Sequence, residues 1–484
     1  MRAVNGALWD AEEIAAATGG VVSGGGAVGN WSVVGISIDS RTVLPGELFI
    51  ALRGPNHDGH QFLRAALDRG AACLADRVPA DIAATAPIVR VEDTMAALTA
   101  LGRAARQRSR ARITAITGSV GKTGTKEALR VALSPQGTTH ASAQSFNNHW
   151  GVPLSLAREP KDAVYAIYEL GMNAPGEIAD LSSLVRPAVS VITTIAPAHL
   201  GKFPSIRAIA AAKAEIFQGM LAGGIAILDR DNPYFPALKK RAQAVDCSRV
   251  IGFGEAEDAD ARLLASRLHV DCSDVRMMLD GKEVRYRIGA PGRHWVKNSL
   301  AVVAAAAALG ADPEIAAKAL VDFKPPKGRG QRHHLKRQNG VVELIDESYN
   351  ANPTSMRAAI SLLEKAPGRK IVAFGDMLEL GEQTARFHAE LAEPILEGQI
   401  DRVFTVGSAM RHLHAALPKD RRGVHVEKAA TLIPILTSEL AHGDTLLIKG
   451  SLGSAMGQVV DALLAEVAAA ERNPGMEAGA SHAV

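Results

Sequence analysis

The sequence predicts an α/β protein of three domains: an N-terminal α/β domain, a central domain on a mainly parallel sheet with a small antiparallel part, and a C-terminal Rossmann-like domain. Three observations support this. At 484 residues the chain is too long for a single hydrophobic core. Short β-rich apolar runs alternate with helix-period segments, the pattern of parallel sheets joined by crossover helices. The stretch "DFKPPKGRGQRHH" (322–334) breaks that alternation with prolines, glycines and charge, as a linker would.

In the first domain, "VVGISIDS" and "LFIAL" read as strands, "HQFLRAALDRGA" as a helix, and "ACLA" and "IVRV" as strands. "DTMAALTALGRAARQRSRAR" follows as an amphipathic helix opened by Asp93 or Thr94. In the central domain "ITAIT", "AVYAIYEL", "VSVITTI" and "IAILD" are apolar enough for strands buried on both faces. "MMLDGKEVRYRI" has the form of a hairpin about Asp280-Gly281. Beyond the linker, "VVELIDES", "KIVAFGD", "RVFTVG" and "DTLLIKG" alternate with helices, which implies a second open α/β sheet. These readings divide the chain at 1–108, 109–326 and 327–472, with a flexible tail over 473–484.

Composition narrows the function classes. Hydrophobic residues make up 47% and charged residues 22%, which excludes wholesale disorder. The net charge of +3 supplies no strong field for nucleic acid or a membrane surface. The basic runs 103–112 and 324–337 lack interleaved aromatics and read as solvated faces. Three widely spaced cysteines (Cys73, Cys247, Cys272) suit reduced thiols. "NSLAVVAAAAALGAD" is too short for a membrane span, and the N-terminus carries acid where a signal peptide would be apolar. A cytoplasmic protein is expected, with no nucleic-acid partner and no membrane insertion.

Two glycine clusters compete as nucleotide sites. "GGGAVG" (Gly24 to Gly29) satisfies G-x-G-x-x-G, but a helix precedes it and a strand follows, the reverse of what that fingerprint needs. It reads as a turn. Gly118-Ser119-Val120-Gly121-Lys122-Thr123 has compressed spacing yet the right context, a buried strand delivering the chain to a helix. Backbone N–H groups and the helix dipole there favour an anion. Lys122 is then a phosphate neutraliser on an exposed loop, and the Thr123 hydroxyl a Mg²⁺ ligand.

Glu169 and His199 each end a strand of the same sheet, at the edge where ligands of open α/β sheets collect. The carboxylate is a natural Mg²⁺ ligand and the histidine a less usual one. His294 and Asn298, four residues apart, share one face of a helix start. They hold a flat base between them or form a capping cluster; the residues alone support either. Arg329, in the linker, reaches a phosphate from the domain junction or is simply solvated.

Together these residues resemble the Mur ligases, ATP-dependent amide-forming enzymes that build the peptide stem of bacterial peptidoglycan. That family uses a compact T-G-x-x-G-K-T/S loop, which Thr117 to Thr123 reproduces. "SFNNHWGVPLSL", "ELGMNAPGEI", "IDESYNANPTSM" and "GDMLELG" resemble the branch that adds D-alanyl-D-alanine to UDP-N-acetylmuramoyl tripeptide. "DSRTVLPGELFIAL" and "DGHQF" resemble the uridine-binding domain shared by that branch and the amino-acid-adding branch. The amino-acid-adding branch carries D-N-P-R in its last domain; here the only "DNP" is Asp231 to Pro233, in the central domain and followed by Tyr234.

The resemblance implies that ATP phosphates meet Lys122 and Thr123, with two Mg²⁺ ions held by Thr123, Glu169, His199 and a CO₂-derived carbamate on Lys213. It assigns adenine to His294 and Asn298, phosphate to Arg329, and the ATP ribose to Asp346. It assigns the UDP-sugar to Ser40, Arg41, Asn147 and Asn148. The expected reaction activates the tripeptide carboxylate as an acyl phosphate, which the amine of D-Ala-D-Ala then attacks; a monomer is expected to suffice. Trp295 stands where the family often has asparagine. Two other readings remain: an amino-acid-adding ligase, and a nucleotide-binding switch that ligates nothing.

Overall fold

The computed structural model describes residues 6–23, 30–55, 57–83, 85–198, 200–337, 340–364 and 366–472. The turn proposed at Gly24 to Gly29, His199 and the 473–484 tail lie outside them. Three large sheets and one small strand pair organise the chain.

The N-terminal sheet has the spatial order Val21–Ser23, Ile88–Arg90, Ala72–Ala75, Glu47–Ile50, Gly35–Ser37, with only Val21–Ser23 antiparallel. Trp9–Asp10 pairs antiparallel with Ser32–Val33 alongside it. The helix expected over 60–71 splits into a tight turn, Gly59–Phe62, and a short helix, Leu63–Asp68. Asp58 caps the first by accepting from the N–H of His60.

Helix Thr94–Arg108 opens at Asp93, whose carboxylate accepts the Ala96 N–H at 2.6 Å. It stops at Arg108 because Ser109 turns to extended backbone. Ala97, Leu98, Leu101 and Ala105 bury its apolar stripe. Gly102 lets it lie against helix Gly151–Ala157: a Cβ there would sit 3.0 Å from the backbone of Pro153. The N-terminal lobe is thereby packed directly onto the central one.

The central sheet has nine strands. In spatial order they are Lys282–Ile288, Ser273–Leu279, Ala261–Leu268, Arg249–Gly254, Ile225–Asp229, Val189–Ile192, Arg112–Thr117, Tyr165–Glu169 and Thr139–Ala141. Pairing is parallel from Thr139–Ala141 to Ala261–Leu268 and antiparallel in the last two strands. The expected hairpin turns at Asp280 and Gly281, both at positive φ (49° and 76°), the requirement of a two-residue type I′ turn. Side chains alternate faithfully across the parallel strands. Ile116, Ile167, Val191 and Ile227 face helix Arg293–Ala308, while Ala115, Ala166, Ile192 and Leu228 face the opposite layer. Both faces are covered, so the strands are apolar throughout.

The C-terminal sheet runs Gln331–Arg337, Gly340–Glu347, Thr445–Lys449, Lys370–Gly375, Arg402–Val406, Arg422–Val426, antiparallel only in its first pair. This corrects the linker reading in part. Residues 331–334 are an edge strand, registered from Gln331 opposite Asp346 to Arg337 opposite Gly340. An edge strand tolerates charge on its solvent side, which is why composition disguised it.

Candidate active site

Strand Arg112–Thr117 delivers the chain to helix Lys122–Leu133 through Gly118 (φ 151°) and Gly121 (φ 87°). The glycines are required by their neighbours as well as by the turn. A Cβ on Gly118 would stand 1.9 Å from Thr193 Oγ1, and one on Gly121 would stand 2.9 Å from Asn298 Nδ2. The adjoining chain fastens the loop: Thr193 Oγ1 donates to Val120 O at 2.5 Å, and the Ser119 N–H to Thr194 O at 2.9 Å. Ser119 Oγ donates to Ala196 O at 3.0 Å. What remains is a helix N-terminus with its first N–H groups directed at a cavity, an anion site by construction.

Lys122 is half-buried rather than exposed, and its Nζ donates to Gly118 O at 2.8 Å. Burial pulls its pKa down; Glu169 opposes that shift and Arg329 adds to it. Thr123 Oγ1 donates to Glu169 Oε2 at 2.8 Å, and Asn147 Nδ2 to Glu169 Oε1 at 2.7 Å. Ser145 Oγ lies 3.4 Å from Thr123 Oγ1 and accepts from Arg329 Nη2 at 3.3 Å. The Arg329 guanidinium stacks 4.3 Å over the Tyr349 ring. Thr123 and Asn147 thus share one carboxylate, and Ser145 links that cluster to Arg329.

Lys213 ends helix Ile206–Lys213 and is buried. Burial, then the charge of Lys122, holds its amine well below the usual lysine range. Among the described residues it has no ion-pair or hydrogen-bond partner, yet it borders the same cavity. A buried amine without a counter-charge is costly as an ammonium and stable as a neutral nucleophile.

The cavity has a volume of about 680 Å³. Ser119 to Thr123, Asn147, Asn148, Glu169, Lys213, His294, Asn298 and Arg329 all border it. Burial keeps the His294 imidazole below its ordinary pKa, with Lys449 adding to the effect and Glu347 opposing it. Trp295 is buried between Gly124 and Phe323, whose ring centroid is 5.0 Å away. A Cβ on Gly124 would be 2.5 Å from that indole, so Trp295 and Gly124 act as a matched pair in the floor of the site.

Three expected residues stand elsewhere. Ser40 and Arg41 belong to the N-terminal lobe and do not border this cavity; Arg41 is exposed and paired with Asp39 at 2.7 Å. Asp346, expected on a ribose, is fully buried behind the wall. Its carboxylate accepts the N–H groups of Gly328 (2.8 Å) and Ser348 (3.1 Å) and the Ser348 hydroxyl (2.5 Å). Its backbone carbonyl accepts the Gly330 N–H at 2.8 Å. It fixes the turn that carries Arg329. The neighbouring Glu347 reaches the cavity instead, paired with Lys449 at 2.9 Å. Lys449 had a readable signal, since "DTLLIKG" ends at a C-terminal sheet edge; Glu347 and Tyr349 lie in "IDESYNANPTSM", whose resemblance to the family was the signal that could have found them.

Family models match along the chain: the Mur ligase family catalytic domain over residues 32–106, the Mur ligase middle domain over 116–306, and the Mur ligase glutamate ligase domain over 328–452. The UDP-N-acetylmuramoyl-tripeptide--D-alanyl-D-alanine ligase of Escherichia coli (strain K12) is 36% identical over 432 residues, covering 88% of this chain and 93% of that protein. The crystal structure of MurF from Acinetobacter baumannii superposes with a TM-score of 0.80 at 29% identity, covering 94% of this chain and 99% of that one. MurF ligase from Thermotoga maritima in complex with ADP gives 0.73 at 25% identity, covering 90% and 98%.

Proposed function

We propose that this chain, which belongs to the Mur ligase family, is an ATP-dependent, ADP-forming ligase that joins D-alanyl-D-alanine to UDP-N-acetylmuramoyl tripeptide. One observation carries the reading. A phosphate loop, an oxygen-rich cluster and an arginine from the start of the C-terminal lobe converge on one cavity. The likeness to ligases of this name also runs nearly end to end.

The chemistry must activate a poor acylating agent. A carboxylate oxygen of the tripeptide attacks the γ-phosphorus of ATP, the bond to the β-phosphate oxygen breaks, and ADP leaves. The amine of D-Ala-D-Ala then attacks the acyl carbon, phosphate departs with the carboxylate oxygen, and the nitrogen gives up one proton. Both nucleophile and phosphate are anionic at the first step. The N–H groups from Val120 to Lys122, with the Lys122 and Arg329 cations, offset that repulsion. His294, kept neutral, and Asn298 seat the adenine. Asn147 and Asn148 face the sugar-peptide substrate, whose uridine end belongs with Ser40 and Arg41 in the N-terminal lobe.

The residues present suit Mg²⁺. Thr123 Oγ1 and Glu169 Oε2 are hard oxygen donors 2.8 Å apart beside the phosphate loop. Lys213 joins them as its carbamate: its neutral amine adds to CO₂ and releases one proton, which turns a repelling group into an anionic oxygen donor. His199 is the remaining proposed ligand. Bound there, Mg²⁺ neutralises phosphate oxygens and orients the displaced group.

Among the described residues no helix is long and apolar enough to cross a membrane, and a substrate pair of ATP and a nucleotide-linked sugar places the work in the cytoplasm. The test is phosphate release with ATP, UDP-tripeptide and D-Ala-D-Ala, each omitted in turn. Full release requires all three. Equal release from ATP alone would favour a nucleotide switch and refute ligation.

A further inference from the structure

Lys126 lies one turn beyond Lys122 on the same helix and is completely buried. A lysine so placed must have its ammonium hydrogens satisfied by protein. They are. Nζ donates to Ser142 O at 2.5 Å and Gln144 O at 2.6 Å, and pairs with Glu127 at 3.0 Å. The two carbonyls flank a turn in which Gln144, an exposed residue, has a φ of 47°. That left-handed backbone is unfavourable for any residue but glycine and persists only where its surroundings enforce it.

The residues that follow are those of the site. Ser145 meets Thr123 and Arg329. Asn147 donates to Glu169, and its carbonyl accepts the Gly171 N–H at 2.7 Å. Asn148 Oδ1 accepts the Gly151 N–H at 2.9 Å, opening the helix that packs on the N-terminal lobe.

We infer that Lys126 is a positioning residue: its ammonium clamps the strained Ser142–Gln144 turn so that Ser145, Asn147 and Asn148 are held at the cavity for the sugar-peptide substrate. The phosphate loop itself is fastened by Thr193, Thr194 and Ala196 and does not depend on this clamp. The inference rests on the ligase reading, which wild-type phosphate release tests separately.

Lys126→Met keeps the length of the side chain and removes every donor. The KM for UDP-tripeptide is expected to rise by about tenfold or more, the scale of loss for a displaced positioning group. ADP affinity, measured by calorimetry without the other substrates, stays unchanged within error. Adding Gln144→Gly to Lys126→Met recovers most of the loss, because glycine takes the positive φ without help. Gln144→Val in the otherwise native chain raises the same KM from the solvent side, since a β-branched residue resists that backbone; this variant decides the matter if Lys126→Met does not fold. An unaltered KM in the folded variants, an equal loss of ADP affinity, or no recovery on adding glycine would each overturn the inference.

Discussion

At the residue scale the site is a contest between burial and charge. Lys122 and Lys213 are both pushed toward neutrality by burial, and only Lys122 has a carboxylate, Glu169, pulling the other way. On the proposed reading Lys122 is the cation that phosphates meet, and Lys122→Met should lower ligation by about two to three orders of magnitude, the effect of removing one preorganised charge donor. Thermal unfolding should move little, because among the described residues the hydrogen bond lost is the one to Gly118 O. Retained turnover in that variant would contradict the assignment. Lys213 is the residue whose position was least legible in the sequence: a lysine after an alanine run reads as solvated, and its burial arises only when the Ile206–Lys213 helix closes against the sheet. In crystals grown with bicarbonate, density beyond Nζ is expected at Lys213, and bare amine density at full occupancy would count against the carbamate.

At the element scale, the strands and the compressed loop were legible because they depend on short-range pattern: apolar runs, two glycines, and a lysine opening a helix. The strand Gln331–Arg337 was hidden because its pairing with Gly340–Glu347 leaves it at an edge, where charge is tolerated. Asp346 stands away from the cavity for a related reason. Alternation along its strand turns it inward and Glu347 outward, and nothing in the sequence says which side the cavity takes. Trp295 is explained by its partner element: Gly124 on the loop helix leaves room for the indole. Gly124→Ala should destabilise the protein by about 1–3 kcal/mol, the cost of overpacking, read as a lower denaturation midpoint. Trp295→Phe removes the atoms in the way, so the double variant should lose less than the sum of the singles. Strict additivity would show that the contact does not matter.

The edge strand Thr139–Ala141 carries a pH dependence of its own. His140 Nε2 lies 2.8 Å from Ser155 O, and burial depresses its pKa from 6.5 to about 4. Between those values the unfolded chain binds a proton that the folded one refuses, so stability falls as pH drops from 6.5 toward 4. His140→Gln cannot titrate and should flatten that part of a urea-unfolding series against pH; an unchanged slope would show that His140 contributes none of it.

At the scale of the whole molecule, the site exists because two sheets present their C-terminal edges to one cavity. The central sheet supplies the loop and Glu169; the chain entering the C-terminal sheet supplies Arg329, and the turn that leaves its strand Gly340–Glu347 supplies Tyr349. The lobes also touch through Lys202 and Glu379, paired at 2.7 Å, and through the Gly201 N–H, which donates to Glu379 O at 2.8 Å. No single-domain reading of the sequence contains that arrangement, since Lys202 and Glu379 are far apart in the chain and each is unremarkable alone. The account holds that the cavity activates a carboxylate by passing one of its oxygens to phosphate. Tripeptide substrate labelled with ¹⁸O in its terminal carboxylate tests this directly, by mass analysis of the phosphate released during ligation. One labelled oxygen in each phosphate is the expected result; phosphate free of label, formed at the rate of ligation, would contradict it.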